Sequence, residues 1–371
     1  MAEISTRTYY LWIDEPFAAD DTEYCLKKAW RDGVTLPDHL VNDPLIGWTL
    51  KPNYTNDQII IVNGTRRLVY GSHHHNSKGM NNAEEFSLKK PENTTRIVML
   101  GDSYTCGPDT PILLSMGNLL KEMIPHNEVL NFCVPERGIE TMYARYVLEA
   151  RNYSPDIVVW NINMQTLLTP NDCLLNIPQL EVIQNTIHIK ERTYPSTDDF
   201  LSRYRPPFAE SALVKHVLRW LHTVRREEKI QLGIKLLDTM MDNVRQDHTT
   251  LVVAMIPTQD ALFADTFNDI KQRLFDKRIN FLGQKYFQAN KNYYRNQSWF
   301  LGNSPQYSVI GHGVHAGGIK MLLEHSRTIP PTTNYFFTAS DQHNYMILVP
   351  DQFPYDTNVR VLYPYNTSVT A

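Results

Sequence analysis

The sequence predicts an α/β protein, a three-layer sandwich built around a mostly parallel sheet. Short apolar, β-branched runs alternate with amphipathic helical patterns between residues 96 and 326. Such alternation indicates parallel strands joined by helices that cover both faces of the sheet. Polar residues also follow directly after several of the apolar runs. These positions are the carboxyl ends of the predicted strands, where open α/β sheets place their chemistry.

The predicted elements follow one another in alternation along this central part. The strand candidates are Ile97–Leu100, Val129–Phe132, Ile157–Trp160, Leu251–Ile256 and Ile279–Leu282. The helical patterns cover Thr110–Ile124, Glu140–Arg151, Ser211–Gln246 and Phe263–Asp276. Each apolar run is short enough for a strand, and the long pattern Ser211–Gln246 has its apolar residues on one side.

Three further regions surround this predicted domain of residues 96–326. Residues 1–95 form an amino-terminal extension, in which two strand-like runs flank Asn63-Gly64, a strong hairpin signal. Residues 164–210 are an irregular insertion rich in prolines and aromatic residues. Insertions at the carboxyl end of a strand often shape a binding pocket. Residues 327–371 carry strand-like runs after Pro330-Pro331, and we interpret them as a β-rich tail.

Composition excludes several functional classes. The 371 residues are 42% hydrophobic and 20% charged, which is typical of a globular protein. The net charge of −4 does not favour binding to nucleic acid or to anionic membranes. No run approaches the roughly 20 apolar residues of a membrane helix. Residues 1–21 do not have the pattern of a signal peptide. The expectation is a cytoplasmic protein, or a secreted or periplasmic one whose signal has been removed. Its oligomeric state is not predicted.

Neither the cysteines nor the histidine run predicts a metal or cofactor. Four scattered cysteines, without a C-x-x-C pair, indicate buried or indifferent thiols rather than a zinc site or a disulfide framework; they are Cys25, Cys106, Cys133 and Cys173. The run His73-His74-His75 could hold a metal ion, but no carboxylate or cysteine lies at ligand spacing. A solvated loop is the preferred interpretation there, and we expect no metal and no organic cofactor.

The strongest candidate for chemistry is a serine at the end of the first central strand. The apolar run that ends at Leu100 is followed by Gly101, Asp102 and Ser103, and a helical pattern begins soon after. Ser103 should therefore lie on a tight turn between strand and helix. The N–H groups at the start of a helix, and its positive dipole end, suit a developing oxyanion. The nucleophile elbow of α/β-hydrolases fits poorly, because Thr105 stands where a second glycine is required.

Two later strands end in residues that could assist such a serine. The segment after Val129–Phe132 contains Gly138, and the absence of a Cβ would let a backbone N–H approach a ligand closely. Asn161-Ile162-Asn163 follows the next strand, and an asparagine side chain there could donate to an oxyanion. Each feature alone is more often an ordinary turn or a loop cap.

Taken together and in this order, the motifs resemble those of the SGNH (GDSL-type) hydrolases. Residues 101–103 match the nucleophile block, which makes Ser103 the implied nucleophile. Gly138 is the implied oxyanion glycine, and Asn163 is the implied side-chain donor. The resemblance also covers the segments 43–53 and 76–79, and so extends over roughly residues 43–326. It implies the SGNH version of the flavodoxin-like α/β sandwich, with oxyanion donors from Ser103, Gly138 and Asn163.

In the fourth block, this sequence departs from the family pattern. The family has Asp-x-x-His before a helix, and here His315 is the implied base while His312 stands in the place of the aspartate. A backbone carbonyl could orient His315 in a Ser-His dyad, another acid could do so, or the enzyme could be weakened. Asp341 and His343 in the tail form another possible pair. His315 is preferred because a helical pattern follows it.

The resemblance implies a serine esterase that hydrolyses or transfers a small O-acyl group, such as acetyl on a carbohydrate. Ser103 and His315 would form an acyl-enzyme with a small-molecule or carbohydrate ester. The alternative is a catalytically weakened protein of the same fold that binds a glycan or another protein, which the substitution of His312 for the acid favours. A flavodoxin-like nucleotide binder fits less well, because the first loop lacks the glycine spacing of a phosphate cradle.

Overall fold

The structure is a computed structural model, and it describes residues 37–62, 65–69, 71, 73–108, 110–135, 138–163, 179–183, 186–191, 232–256, 264–282 and 309–325. The predicted tail at 327–371, with Asp341 and His343, lies outside these residues. So do the Asn63-Gly64 turn, most of the predicted insertion, and the first part of the helix predicted at 211–246.

The five strands predicted in the central part alternate with helices as expected. Two strands that were not predicted form an antiparallel pair inside the segment 164–210, which the sequence predicted to be irregular. The strands are β1 (Leu40–Asp43), β2 (Gly47–Leu50), β3 (Gln58–Val62), β4 (Thr65–Val69), β5 (Thr95–Leu100), β6 (Asn127–Asn131), β7 (Ile157–Asn163), β8 (Gln179–Ile183), β9 (Thr186–Lys190), β10 (Thr250–Ile256) and β11 (Asn280–Leu282). The helices are α1 (Ser103–Cys106), α2 (Met116–Met123), α3 (Ile139–Leu148), α4 (232–246), α5 (Ala264–Asp276) and α6 (Val309–His325). Short 3₁₀ turns cover Ile112–Leu114 and Ala150–Tyr153.

The described residues contain a five-stranded sheet with the order β11-β10-β7-β5-β6, and its neighbouring strands are all parallel. All five strand runs predicted in the central part lie in this sheet. Strands buried on both faces require near-continuous apolar sequence, which is the feature that made them recognisable. The predicted α/β fold is confirmed.

Helices cover both faces of the sheet and give it three layers. Val98 and Leu100 of β5 point to one face, in an apolar cluster with residues of α3, α4 and α5. Ile97 and Met99 point to the other face, in a cluster with residues of α2 and α6. Burial of an aliphatic side chain contributes about 1.5–3 kcal/mol, so these two clusters hold the layers together.

The amino-terminal extension covers the edge strand β6. The side chain of Asn82 donates to the carbonyl oxygen of Val129 at 2.9 Å and accepts from the N–H of Asn131 at 2.8 Å. It thereby takes the place of a neighbouring strand, which removes an exposed sheet edge. The buried guanidinium of Arg145, on α3, donates to the carbonyl oxygen of Gly79 at 3.1 Å. The extension is therefore attached to the sheet through polar contacts. Its predicted hairpin is confirmed as the antiparallel pair β3–β4.

One predicted helix is broken into two pieces. In place of a continuous helix over 110–124, a 3₁₀ turn and α2 are separated by Ser115, whose backbone is extended at φ −68° and ψ 157°. Pro111 begins the 3₁₀ turn, and its ring restricts the chain there. Within the described part of the chain, no helix has the length and apolar character needed to cross a bilayer.

Candidate functional site

Ser103 lies on a sharp turn between β5 and α1. Asp102 is the N-cap, and its Oδ1 accepts from the N–H of Tyr104 at 3.0 Å. A Cβ placed on Gly101 would lie 1.9 Å from Oγ1 of Thr105, so the turn requires a glycine there. Gly107 ends the helix at φ +66°, and its N–H donates to the carbonyl oxygen of Ser103 at 2.9 Å. Ser103 is largely buried, with 8% of its surface exposed.

The helix that begins at Ser103 is separate from the one that the sequence predicted over residues 110–124. It is a single turn of four residues, and the longer α2 begins only at Met116. The helix dipole arises from aligned peptide units over several turns, so a single turn supplies little of it. Any stabilisation of an oxyanion at Ser103 must come from individual N–H groups.

The three candidate oxyanion residues lie on or after three adjacent strands. Ser103 follows β5. Gly138 is the buried N-cap of α3, seven residues after the end of β6, with φ −83°. Asn163 is the last residue of β7 and pairs with Ile256 of β10. Because β7, β5 and β6 are neighbouring parallel strands, their carboxyl ends meet at one edge of the sheet.

Hydrogen bonds and a disulfide join the segment after β6 to the Ser103 turn. The N–H of Val134 donates to the carbonyl oxygen of Gly101 at 2.9 Å. Cys106 and Cys133 form a disulfide with a Cα–Cα distance of 5.4 Å. The prediction of unpaired thiols is therefore wrong for these two residues, and Cys25 and Cys173 lie outside the described residues. A signal was present in the sequence, because each of the two cysteines lies shortly after one of two strands that pair in parallel.

His315 lies on α6 and contacts the middle strand of the sheet. Its side chain is fully buried, and its Nε2 lies 3.0 Å from Oδ1 of Asn161 on β7. Leu100 pairs with Trp160, so Asn161 is level with Gly101 at the carboxyl edge. The structure thus places the His315 imidazole at the edge where Ser103 lies. Both histidines of the fourth block are inside the 17-residue helix α6, whereas the family pattern places the helix after them.

His312 lies one turn earlier on α6, beside the loop that follows Ser103. A Cβ placed on Gly107 would lie 2.8 Å from Nε2 and 2.9 Å from Cε1 of His312. Burial lowers the pKa of His312 to about 4. Burial, and then the charge of a protonated His312, lower the pKa of His315 to about 3. Both imidazoles are therefore neutral at pH 7, which is the form that accepts a proton.

Asp102 is the nearest carboxyl group in the sequence to Ser103. Its side chain is buried, and burial raises its pKa to about 7, against the opposing effect of the backbone N–H groups that it accepts from. The carboxyl group therefore keeps its proton to a much higher pH than an ordinary aspartate does. Its contact with the N–H of Tyr104 gives it a capping role.

The sequence placed Asn161 directly after the predicted strand Ile157–Trp160 and did not pair it with His315. The oxyanion role was given to Asn163, because Asn163 matches the family motif. The available signal was side-chain alternation in a strand. Asn161 shares a face with Ile157 and Val159, which pack in the cluster that contains residues of α6. A polar residue on this face could have been expected to meet a polar residue of that helix.

Two residues of the histidine run 73–75 are buried, so the prediction of a solvated loop is wrong for them. His73 and His75 are 7% and 2% exposed. The His73 ring stacks on His39 at a centroid distance of 4.1 Å, and Tyr54 lies 5.5 Å from His75. Among the described residues, no group of three or more histidine, cysteine or acidic side chains could hold a metal ion.

The chain is similar, at low identity, to several solved structures. The solved structures that it matches include TesA, at 9% identity and TM-score 0.39 over 62% of this chain and 99% of that one. A GDSL-like lipase from Bacteroides thetaiotaomicron VPI-5482 matches at 12% identity and TM-score 0.37, over 62% of this chain and 89% of that one.

A catalytic mutant of Axe2, an acetylxylan esterase from Geobacillus stearothermophilus, matches at 13% identity and TM-score 0.38, over 62% and 94% of the two chains. No family model matches the sequence. No curated protein matches it significantly. The names of several of these neighbours are of the kind that the sequence motifs led us to expect. At such identities and TM-scores the likeness carries no argument about family, substrate or the residues that act.

Proposed function

We propose that the protein is a serine esterase in which Ser103 is the nucleophile and His315 is the general base. The observation that carries this proposal is the contact between His315 and Asn161, because it brings an imidazole to the sheet edge from which Ser103 emerges. A hydroxyl at a strand-to-helix turn and a neutral imidazole nearby are the minimum for nucleophilic acyl transfer.

The proposed reaction has two halves. The Ser103 hydroxyl attacks the ester carbonyl while His315 takes its proton, and the resulting imidazolium then gives that proton to the departing alcohol oxygen. In the second half, water attacks the acyl-enzyme carbonyl while His315 takes its proton. The imidazolium then returns the proton to the Ser103 oxygen, and the carboxylic acid is released. Correctly placed proton transfer contributes about 10²–10⁴-fold to such a reaction.

The oxyanion would be held by the N–H groups of Ser103 and Gly138 and by the side chain of Asn163. Loss of one such donor raises the barrier by about 2.7–4 kcal/mol. The proposed substrate class is a small O-acyl group, such as acetyl on a carbohydrate, and it follows from the resemblance of the sequence motifs. Transfer to a sugar hydroxyl would use the same groups, with that hydroxyl replacing water.

The test is hydrolysis of p-nitrophenyl acetate by Ser103→Ala and His315→Ala. We expect both variants to lose activity to near the background rate. Ser115→Ala is the matched control, since Ser115 is another buried serine at the start of a helix, and it should keep parental activity. Parental activity in Ser103→Ala would show that the nucleophile is assigned to the wrong residue.

A second candidate function is a binding module for a glycan or a protein. The position of His312, where the family has its acid, favours this alternative. A fluorophosphonate probe separates the two functions, because it reacts with an activated serine. Covalent labelling of Ser103 in the parent, absent in Ser103→Ala, supports the esterase, whereas an unlabelled parent supports the binding module.

A further inference from the structure

Asn161 is a polar residue at a position where the surrounding side chains are apolar. It lies within the strand β7, it is fully buried, and it shares a face with Ile157 and Val159, which pack in the apolar cluster beneath α2 and α6. Its neighbours Trp160 and Ile162 point to the opposite face. An apolar residue would satisfy packing there, while a buried amide costs about 1–3 kcal/mol for each group left without a partner.

The hydrogen bonds of this amide are directed at one residue. Oδ1 lies 3.0 Å from Nε2 of His315. Among the described residues, Nδ2 of Asn161 has no hydrogen-bond partner. A structural asparagine normally bridges two segments with both ends of its amide. Among the residues that the structure describes, the contact with the imidazole is the interaction that accounts for an asparagine in this strand.

We propose that Asn161 is the positioning residue for His315 and takes the place of the acid that the fourth block lacks. This inference rests on the proposed function. An amide oxygen accepts only from an N–H, so Oδ1 selects the tautomer of His315 in which Nε2 carries the hydrogen. Nδ1 then carries the lone pair and is the nitrogen that receives the Ser103 proton. A histidine oriented by an asparagine is a known variant of the triad arrangement.

A neutral amide and a carboxylate differ in one measurable respect. Both hold the ring in position, but only a carboxylate stabilises the positive charge of the imidazolium. An asparagine therefore orients His315 without raising its pKa. Asn161→Asp replaces the amide group with a carboxylate. This change should keep the geometry of the contact and stabilise the positive charge of the imidazolium.

The first experiment uses ¹⁵N NMR of the histidine rings in Ser103→Ala, with His315 assigned by comparison with Ser103→Ala/His315→Gln. We expect the Nε2–H tautomer for His315 in Ser103→Ala. Addition of Asn161→Leu should give a mixture of tautomers, and addition of Asn161→Asp should retain Nε2–H and raise the pKa of His315. The control Ile162→Val, on the opposite face of β7, should change neither property. An Nδ1–H tautomer, or a tautomer unaffected by Asn161→Leu, would overturn the inference.

The second experiment measures hydrolysis in the protein with Ser103 intact. Asn161→Leu should lower kcat by about 10²-fold with a smaller change in KM, as expected when a catalytic group is misplaced. Asn161→Asp should recover most of kcat and move the acid limb of the pH profile to higher pH. A role in folding alone would lower the amount of folded enzyme without shifting that limb, and an unshifted limb in Asn161→Asp would contradict the inference.

The two experiments separate this inference from the proposed function. Absence of fluorophosphonate labelling at Ser103 would overturn the esterase, and the NMR measurement would still report whether Asn161 sets the tautomer of His315. Labelling together with an Nδ1–H tautomer would leave the esterase in place and reject the role of Asn161. If Asn161→Leu does not fold, the pKa change in Asn161→Asp decides the question.

Discussion

The imidazole of His312 packs directly against Gly107, the residue that ends the turn begun by Ser103. Gly107 has φ +66°, and a Cβ there would lie 2.8 Å from Nε2 of His312. The contact attaches α6 to the Ser103 loop, although more than 200 residues separate the two in the chain. Any side chain at position 107 must therefore disturb both the loop and the histidine.

Gly107→Ala should destabilise the protein and reduce activity. The left-handed conformation alone costs a residue with a Cβ about 1–2 kcal/mol, and displacement of His312 adds to that. Gly117→Ala is the matched control, because a Cβ there lies 3.4 Å from its nearest neighbour, Nδ2 of Asn131. Alanine is favoured over glycine in a helix by up to about 1 kcal/mol. Urea unfolding of the two variants measures the difference, and equal stabilities would contradict the packing of His312 on Gly107.

The disulfide between Cys106 and Cys133 should contribute about 3–4 kcal/mol to the free energy of unfolding, given a sequence separation of 27 residues. Cys106→Ser/Cys133→Ser should show this loss in urea and should also lower activity, because the bridge joins the Ser103 turn to the segment after β6. The parent protein in dithiothreitol should fall to the stability of the double variant. If dithiothreitol lowered the stability of the double variant as much as that of the parent, reduction of this disulfide would not explain the loss.

Asp102→Asn should make the protein more stable at alkaline pH. Burial raises the pKa of Asp102 to about 7 in the folded state, against an ordinary value near 3.9. The folded protein therefore holds a proton that the unfolded chain releases, and stability is lost as the pH rises through this window. Asparagine keeps the cap but cannot ionise. Its advantage over the parent should be largest at pH 9 and absent at pH 3.5, as measured by urea unfolding at each pH.

Buried histidines should make the protein sensitive to acid. Burial lowers the pKa of His73 to about 4 and that of His75 to about 3. The unfolded chain takes up protons below pH 6.5 that the folded protein does not, so stability falls as the pH drops from 6.5 towards 4. His312 and His315 act in the same direction, and Asp102 acts against them.

His75→Gln isolates one of these contributions. One histidine changes the free energy of unfolding by at most about 1.4 kcal/mol per pH unit in this window. We expect the variant to lose stability less steeply than the parent between pH 6.5 and 4. Ser115→Ala is the comparison, since it changes a buried residue without a titratable group, and it should keep the parental slope. Identical slopes in the parent and His75→Gln would contradict the prediction.

Esterase activity should persist well below pH 6.5. His315 must be neutral to accept a proton, and burial lowers its pKa to about 3. The acid limb of kcat/KM for p-nitrophenyl acetate should therefore lie below the ordinary histidine value, within the range in which circular dichroism shows the protein to be folded. A limb at pH 6.5 or above would assign the base to a solvated histidine instead of His315.

Features that depend on neighbouring residues in the chain could be predicted from the local sequence. The strand β5 was recognisable because its residues are apolar on both faces, and the turn at Ser103 because Gly101-Asp102-Ser103 lies between an apolar run and a helical pattern. The helix predicted over 110–124 failed at Ser115, where an extended backbone interrupts the apolar periodicity. Periodicity alone does not register such an interruption.

Contacts between distant segments were not predictable in the same way. The stacking of His39 on His73 and the disulfide between Cys106 and Cys133 depend on how the extension and the loops pack over the sheet. Spacing along the chain suggested a solvated loop and free thiols, because neither pattern matches a local motif. Both predictions were wrong for the same reason, namely that the partner lies on another element.

By itself, the sequence determined the alternation of strands and helices, the parallel sheet, and the position of Ser103 at the end of β5, since each of these follows from the polarity and conformational preferences of adjacent residues. Only the tertiary structure decided that His315 meets Asn161 and that His312 meets Gly107. These pairs join α6 to β7 and to the Ser103 loop, and their contact depends on the register with which α6 packs on the sheet. A change of one residue in that register rotates a helix by about 100°, so the choice of histidine at the site rests on the packing of the whole apolar layer between α6 and the sheet.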